Sequence, residues 1–244
     1  MSVAFTFFFS PEITCHELSR DQGIMLQSRD RQLTFKQTTS GLRSALKTLQ
    51  VGKGATKKEL NDIVQQADGI CGVFTFNSHL KKLMSLGWVC CAIDSWATAV
   101  PMTDNYQFIV PTIDQQQSFS LSRFAYLHQV KGQMVLESPL SKAKVLLYDW
   151  RTFALIAKLA QPQTIQTLTE IPTLTPEKSE LFLSLLLATE MLSTEISAAN
   201  SASLENDTIL AQWDFHDLLT IPYSQSPRKA RSGDGNNLPF FKHN

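Results

Sequence analysis

The sequence contains no cysteine pair at CxxC spacing, no glycine-rich phosphate loop, no GxSxG and no HExxH. Each absence removes a class of chemistry: a thiolate metal site, a nucleotide cradle, a hydrolase nucleophile and a zinc protease. His16, His79, His128, His216 and His243 are scattered without ligand spacing, so no metal centre is expected. His216 and Asp217 adjoin, but neighbours on a helix point about a hundred degrees apart and cannot serve as a base and its orienter. No catalytic residue is expected in the chain. No apolar run approaches the ~20 residues of a membrane helix. The apolar start VAFTFFF lacks a basic leading region and a small-residue cleavage site, so it does not read as a secretory signal. Cys15, Cys71, Cys90 and Cys91 read as free thiols in a reducing compartment, and the expected location is the cytoplasm.

Net charge is absent too, with 22 basic and 22 acidic side chains, so no global field draws in polyanions. The distribution is uneven: residues 1–102 carry +3, residues 103–219 carry −6 and residues 220–244 carry +3. The 244 residues, 43% hydrophobic and 18% charged, are enough for one large domain or two small ones with a real core.

Phe5–Phe9 reads as a strand. Gly23–Ser28 and Gln32–Lys36 flank Arg29-Asp30-Arg31 as a hairpin. Ser40 is placed to cap a helix over 41–50 whose inner face is Leu42, Ala45, Leu46 and Leu49. Thr56 and Glu59 form a capping box for a second helix, which Gly69 and Gly72 should end. A third helix is expected over about 77–86 and a strand pair at 88–93 and 97–102, which together describe a winged helix.

The order then returns. A long strand-like stretch at 119–130 precedes a pair at 133–137 and 143–148. Asp149 caps a helix, Thr164 opens a short one, and Thr175-Pro176-Glu177 starts a wide apolar helix that runs into a strand at 192–196. IMLQS at 24–28 aligns with MVLES at 134–138, and Ala45, Leu46 and Leu49 with Leu155, Ile156 and Leu159. The expected fold class is α+β: two tandem winged helix-turn-helix-like units with β-hairpins, at 1–102 and 103–196. A polar linker, a short amphipathic helix at 209–219 and a disordered tail would complete the chain to 244.

Winged helices bind DNA or peptides. Lys53, Lys57, Lys58, His79, Lys81 and Lys82 make a moderate basic patch, which a solvated helical face explains equally well. Glu177, Glu180, Glu190 and Glu195 would repel DNA from the second unit. A DNA-binding transcriptional regulator is therefore the runner-up, and nucleic acid is disfavoured. The alternative is a groove between hairpin and third helix that takes an extended peptide as an added strand. Leu33 and Phe35 on the edge strand, with Phe74, Phe76 and Lys81 on the helix, are its expected lining. A dimerisation or scaffold module is the third reading, and a homodimer is compatible with it.

Residues 121–168, LSRFAYLHQVKGQMVLESPLSKAKVLLYDWRTFALIAKLAQPQTIQTL, with the helix at 176–192 and LAQWDFHDLL at 210–219, resemble the N-terminal half of SagB-type dehydrogenases. In that family RFAYL, VLESPLS and an FHD-containing helix recur in this order. Residues 1–102 resemble, more loosely, the leader-recognition winged helix of the longer oxidases of that type. The resemblance implies a part of an FMN-dependent azoline (thiazoline/oxazoline) oxidase of cyanobactin and thiazole/oxazole-modified peptide biosynthesis. It implies a ribosomal precursor (leader) peptide and the flavin oxidase domain as partners, with FMN held by a nitroreductase-like domain that follows the FHD helix. The proline-, serine- and glycine-rich stretch at 220–244 departs from the family's usual continuation, so no FMN-contacting or catalytic residue is carried onto this chain.

Overall fold

The computed structural model describes residues 4–18, 23–50, 54–171 and 174–194. In chain order these form β1 (Thr6–Phe9), β2 (Thr14–Leu18), β3 (Gly23–Gln27), β4 (Gln32–Phe35), α1 (Ser40–Gln50), β5 (Ala55–Thr56) and α2 (Lys57–Ser85). There follow β6 (Val89–Ile93), β7 (Ala97–Pro101), β8 (Phe119–Leu121), β9 (Tyr126–Val130), β10 (Gln133–Glu137) and β11 (Ala143–Leu147). The last elements are α3 (Trp150–Lys158), α4 (Ile165–Leu168), α5 (Pro176–Ala188) and β12 (Leu192–Thr194). The architecture is α+β with antiparallel sheets, and the expected strand at 192–196 is described as far as Thr194. The expected linker, helix 209–219 and tail lie outside the described residues.

Seven strands make one sheet in the order β5-β1-β6-β7-β11-β10-β9. β2-β3-β4 and β8-β12 form two smaller sheets. The same succession occurs twice: a strand, a three-strand meander, three helical segments, and a strand that pairs back on the first. In the first run β1 pairs with β6, and in the second β8 pairs with β12. The two runs are joined where β7 lies antiparallel to β11 over five residue pairs, Ala143 opposite Pro101 through Leu147 opposite Ala97. Trp96, in the turn before β7, is 2% exposed and lies under two cations from the second run, Arg151 at 5.0 Å and Lys178 at 4.9 Å from the ring centroid.

Local chemistry accounts for most boundaries. The Thr56 hydroxyl accepts from the Glu59 N–H at 3.2 Å, and the Glu59 carboxylate accepts from the Thr56 N–H at 2.8 Å, a closed capping box. Asp149, Thr164 and Thr175 each cap the helix they precede. Lys131 and Gly132, with φ of 50° and 84°, make the two-residue turn between β9 and β10 that a twisted hairpin favours.

Three expectations are corrected. Ser40 does not cap α1; the cap comes from Asp68 on α2, whose carboxylate accepts the N–H groups of Gly41 and Leu42, both at 3.1 Å, and the Thr39 hydroxyl at 2.5 Å. A Cβ on Gly41 would lie 2.4 Å from that carboxylate, so only glycine admits the contact. The second and third helices are not separated by a loop. They run together as α2 with Gly69 alone non-helical (φ 70°, ψ −172°), so the last helix starts near Ile70 and not Asn77. The strand expected at 119–130 is interrupted at Ser122, whose hydroxyl accepts the Phe124 N–H and whose carbonyl accepts the Ala125 N–H. That turn buries Phe124, 1% exposed.

One apolar cluster holds buried residues from both runs, with Leu46, Phe76, Trp88, Leu155, Phe182 and Leu186 among its members. No described helix is long and apolar enough to cross a membrane.

Candidate functional site

β4 pairs with β3 on one side; among the described residues no strand pairs with its other edge. The meander alternates as a half-buried sheet should: Leu33 lies opposite Leu26 and Phe35 opposite Ile24, all toward the core, and Thr34 lies opposite Met25 on the outer face. Main-chain donors and acceptors of residues 32–35 therefore point along an open edge. Beside that edge stands the second half of α2. The His79 ring meets Phe35 edge-on, centroids 5.0 Å apart. Burial there, and then the charge of Lys82, hold the His79 imidazole below its ordinary pKa. At the head of β4, Arg31 is fixed by a 2.6 Å ion pair to Asp104.

The five residues expected to line a groove are not brought together. Leu33 is half-buried on the edge strand and packs against the core, the place expected for it. Phe35 is 8% exposed and Phe76 1%. Both rings are core contacts, so Phe76 is no groove wall, and Phe35→Asp would open the core and not merely weaken a ligand. Phe74 and Lys81 are exposed but face elsewhere. With His79 against β4, the 3.6-residue period turns Phe74 away by roughly 140° and Lys81 by roughly 160°. Phe74, 71% exposed, and Ile70, 57% exposed, make a separate apolar patch. The residue of that helix that meets β4 is instead His79, against Phe35. Its position beside the apolar stripe of Phe76, Leu80 and Leu83 is the available clue in the sequence.

In the second run the strand in the place of β4 is β11, and its corresponding edge is taken by β7. The helix in the place of α2's second half is α5, where Phe182, Leu183, Leu185 and Leu186 are all fully buried. Among the described residues, the last meander strand keeps an open edge only in the first run; the open edge of the second run's meander lies at β9.

Among the described residues, no group of three or more His, Cys, Asp or Glu side chains is arranged to hold a metal. Cys91 is buried, which pushes its thiol well above the ordinary range and away from nucleophilic use. A cleft of about 480 Å³ lies between residues 113–116 and Thr164 and Gln166. It has no aromatic ring to stack on a flavin and no Lys or Arg for its phosphate, and Asp114 would repel that phosphate. The cleft does not fit FMN.

Two family models match the chain. Residues 1–110 match the ThcOx helix turn helix domain, and residues 119–230 match the cyanobactin oxidase ThcOx. No curated protein matches it.

Proposed function

We propose that this ThcOx-like, SagB-like N-terminal region is the precursor-peptide recognition and presentation portion of an FMN-dependent azoline oxidase of cyanobactin-type biosynthesis. The leader adds to β4 as a fourth strand of the β2-β3-β4 sheet. Main-chain hydrogen bonds supply affinity, and the surface formed by Leu33, His79 and Lys82 supplies selectivity. Flavin and redox chemistry belong to a nitroreductase-like domain outside these residues, as the resemblance implies. The two runs are read as tandem winged-helix units, of which the first grips the leader and the second carries the first.

A single observation carries this reading: among the described residues no strand pairs with the outer edge of β4, where its counterpart β11 is closed by β7. The repeated order of elements supports the tandem arrangement, and the ThcOx helix turn helix match over residues 1–110 falls on the unit with the open edge. The test is calorimetric titration of cyanobactin precursor peptides, leader included, into the full chain. Binding is expected, and Leu33→Asp weakens it at least about tenfold, near 1.4 kcal/mol, while far-ultraviolet circular dichroism stays native. No heat with any precursor, or unchanged binding by a folded Leu33→Asp chain, overturns the reading.

A further inference from the structure

The seven-stranded sheet ends differently on its two sides. β5 closes one end with two residues, Ala55 and Thr56, an edge too short to template a partner strand. β9 forms the other end with five residues, Tyr126–Val130, and among the described residues no strand pairs with its outer side. Natural edge strands are guarded by a charge, a proline or a bulge. β9 has none of the three: its residues are Tyr, Leu, His, Gln and Val, paired one to one with β10 from Tyr126 opposite Glu137 to Val130 opposite Gln133. Its polar side chains are engaged within the hairpin and do not shield the edge. The Tyr126 hydroxyl donates to Glu137 at 2.9 Å, and the His128 ring stacks on Tyr126 with centroids 5.0 Å apart. Leu127 and Val130, on opposite faces of the strand, are 41% and 43% exposed. The two-residue turn at Lys131 and Gly132 makes Val130 and Gln133 a hydrogen-bonded pair. Alternation then leaves the N–H and C=O groups of Leu127 and Gln129 directed away from β10, along the open edge.

We infer that β9 pairs antiparallel with β9 of a second copy of this chain, about a twofold axis at His128. The free groups fix the register. Leu127 opposite Gln129 of the second copy matches them, each such pair exchanging both N–H···O bonds, and overlaps the whole strand. Moving the axis to Leu127 or Gln129 also matches free groups but leaves two residues of each strand without an opposite strand residue. With the axis at His128, Tyr126 lies opposite Val130 of the second copy and covers an exposed valine with an aromatic ring. Lys131 falls opposite Ala125, so no like charges meet. The chain already joins its own two runs in this manner, through five antiparallel pairs between β7 and β11 of the same sheet. The new contact continues that sheet into the second copy. It also closes on itself, because both β9 edges are consumed. Five residue pairs are a small contact beside the ~1,600 Å² of a standard interface, so the dimer forms reversibly with concentration. Leader binding is not involved, since β4 lies in a different sheet.

Sedimentation equilibrium of the full chain over a range of concentrations tests this, with circular dichroism as the check on folding. The average mass of the wild type should rise toward that of two chains. Leu127→Lys/Gln129→Lys sets like charges opposite each other across the axis and should weaken dimerisation at least about tenfold with a native spectrum. A thiol trap reads the register. A Cys15→Ser/Cys71→Ser background leaves only the buried Cys90 and Cys91. In it, oxidation of His128→Cys should link two chains, because the axis brings the two Cα atoms to about 4.5 Å. Gln129→Cys should not link, its two copies lying on a diagonal about 7–8 Å apart. A wild type that stays a single chain at every concentration overturns the inference. So does a folded Lys variant that dimerises as wild type does, or linking through Gln129→Cys and not through His128→Cys. If the Lys variant unfolds, the two traps decide.

Discussion

The two runs of this chain share an order of elements and differ in what their meanders do with the last strand. β11 is sealed by β7, so the second run spends that edge on joining the halves. β4 keeps its edge among the described residues. The helices diverge in the same sense. α5 buries Phe182, Leu183, Leu185 and Leu186 completely, while the second half of α2 leaves Ile70 and Phe74 exposed and presents Lys81 and Lys82. The acidic Glu177 and Glu180 of α5 oppose the basic character of α2. A repeated order of elements can thus leave the last meander strand covered in one copy and open in the other by one interstrand contact.

The contrast is sharpest in stability. Leu186→Ala removes a fully buried side chain from α5 and should destabilise the chain by about 2–5 kcal/mol, measured by denaturant unfolding. Phe74→Ala, at the corresponding helix of the first run, should stay within about 0.5 kcal/mol. Comparable losses would erase the distinction between a buried and a receptive helix.

Asp68 gives the next largest effect, and it belongs to the first run. Asp68→Ala removes the carboxylate that caps α1 and should cost about 1–2 kcal/mol. Burial acts to raise the Asp68 pKa, but the hydrogen bonds from Thr39, Gly41, Leu42 and Ser40 outweigh it and hold the group below its ordinary value. Its contribution is therefore full above the unfolded pKa of about 3.9 and is lost as the pH falls through the folded value. The gap between the unfolding curves of wild type and Asp68→Ala should narrow from pH 6 to pH 3. A gap of the same size at both pH values would mean that the cap does not act through the ionised carboxylate.

Elements marked by local chemistry are legible in the sequence itself: the caps at Thr56, Asp149, Thr164 and Thr175, the hairpins around 29–31 and 94–96, and the apolar stripe of Leu42, Ala45, Leu46 and Leu49. Elements that depend on distant partners are not. β2, TCHEL, is mostly polar and exists because β3 pairs with it. Ser40 looks like a cap, but the carboxylate that accepts the first N–H groups of α1 comes from 28 residues further along than Ser40. The candidate site turns on a finer point. Lys81 and His79 are two residues apart, which on a helix is nearly opposite sides. Choosing between them requires knowing which side β4 occupies. The pairing of β7 with β11, which separates the closed edge from the open one, joins residues about fifty apart and leaves no trace in either segment alone.

The smallest expected effect asks whether a bound strand lies against His79. The ring is held below its ordinary pKa by burial against Phe35 and by Lys82, so the neutral form is the one the fold accommodates. A group depressed in this way costs stability as the pH drops below the unfolded value of about 6.5, and that cost levels off once the folded value is passed. A peptide laid along β4 would bury the ring further and depress its pKa again. Affinity measured by calorimetry should therefore fall between pH 7.5 and pH 5.5 in wild type and stay level in His79→Gln. Phe74→Asp, on the far side of the same helix, should follow wild type at both pH values. If Phe74→Asp loses binding while His79→Gln keeps both affinity and pH slope, the receptive surface is the Ile70–Phe74 patch, and the open edge of β4 is not what separates the two runs in function.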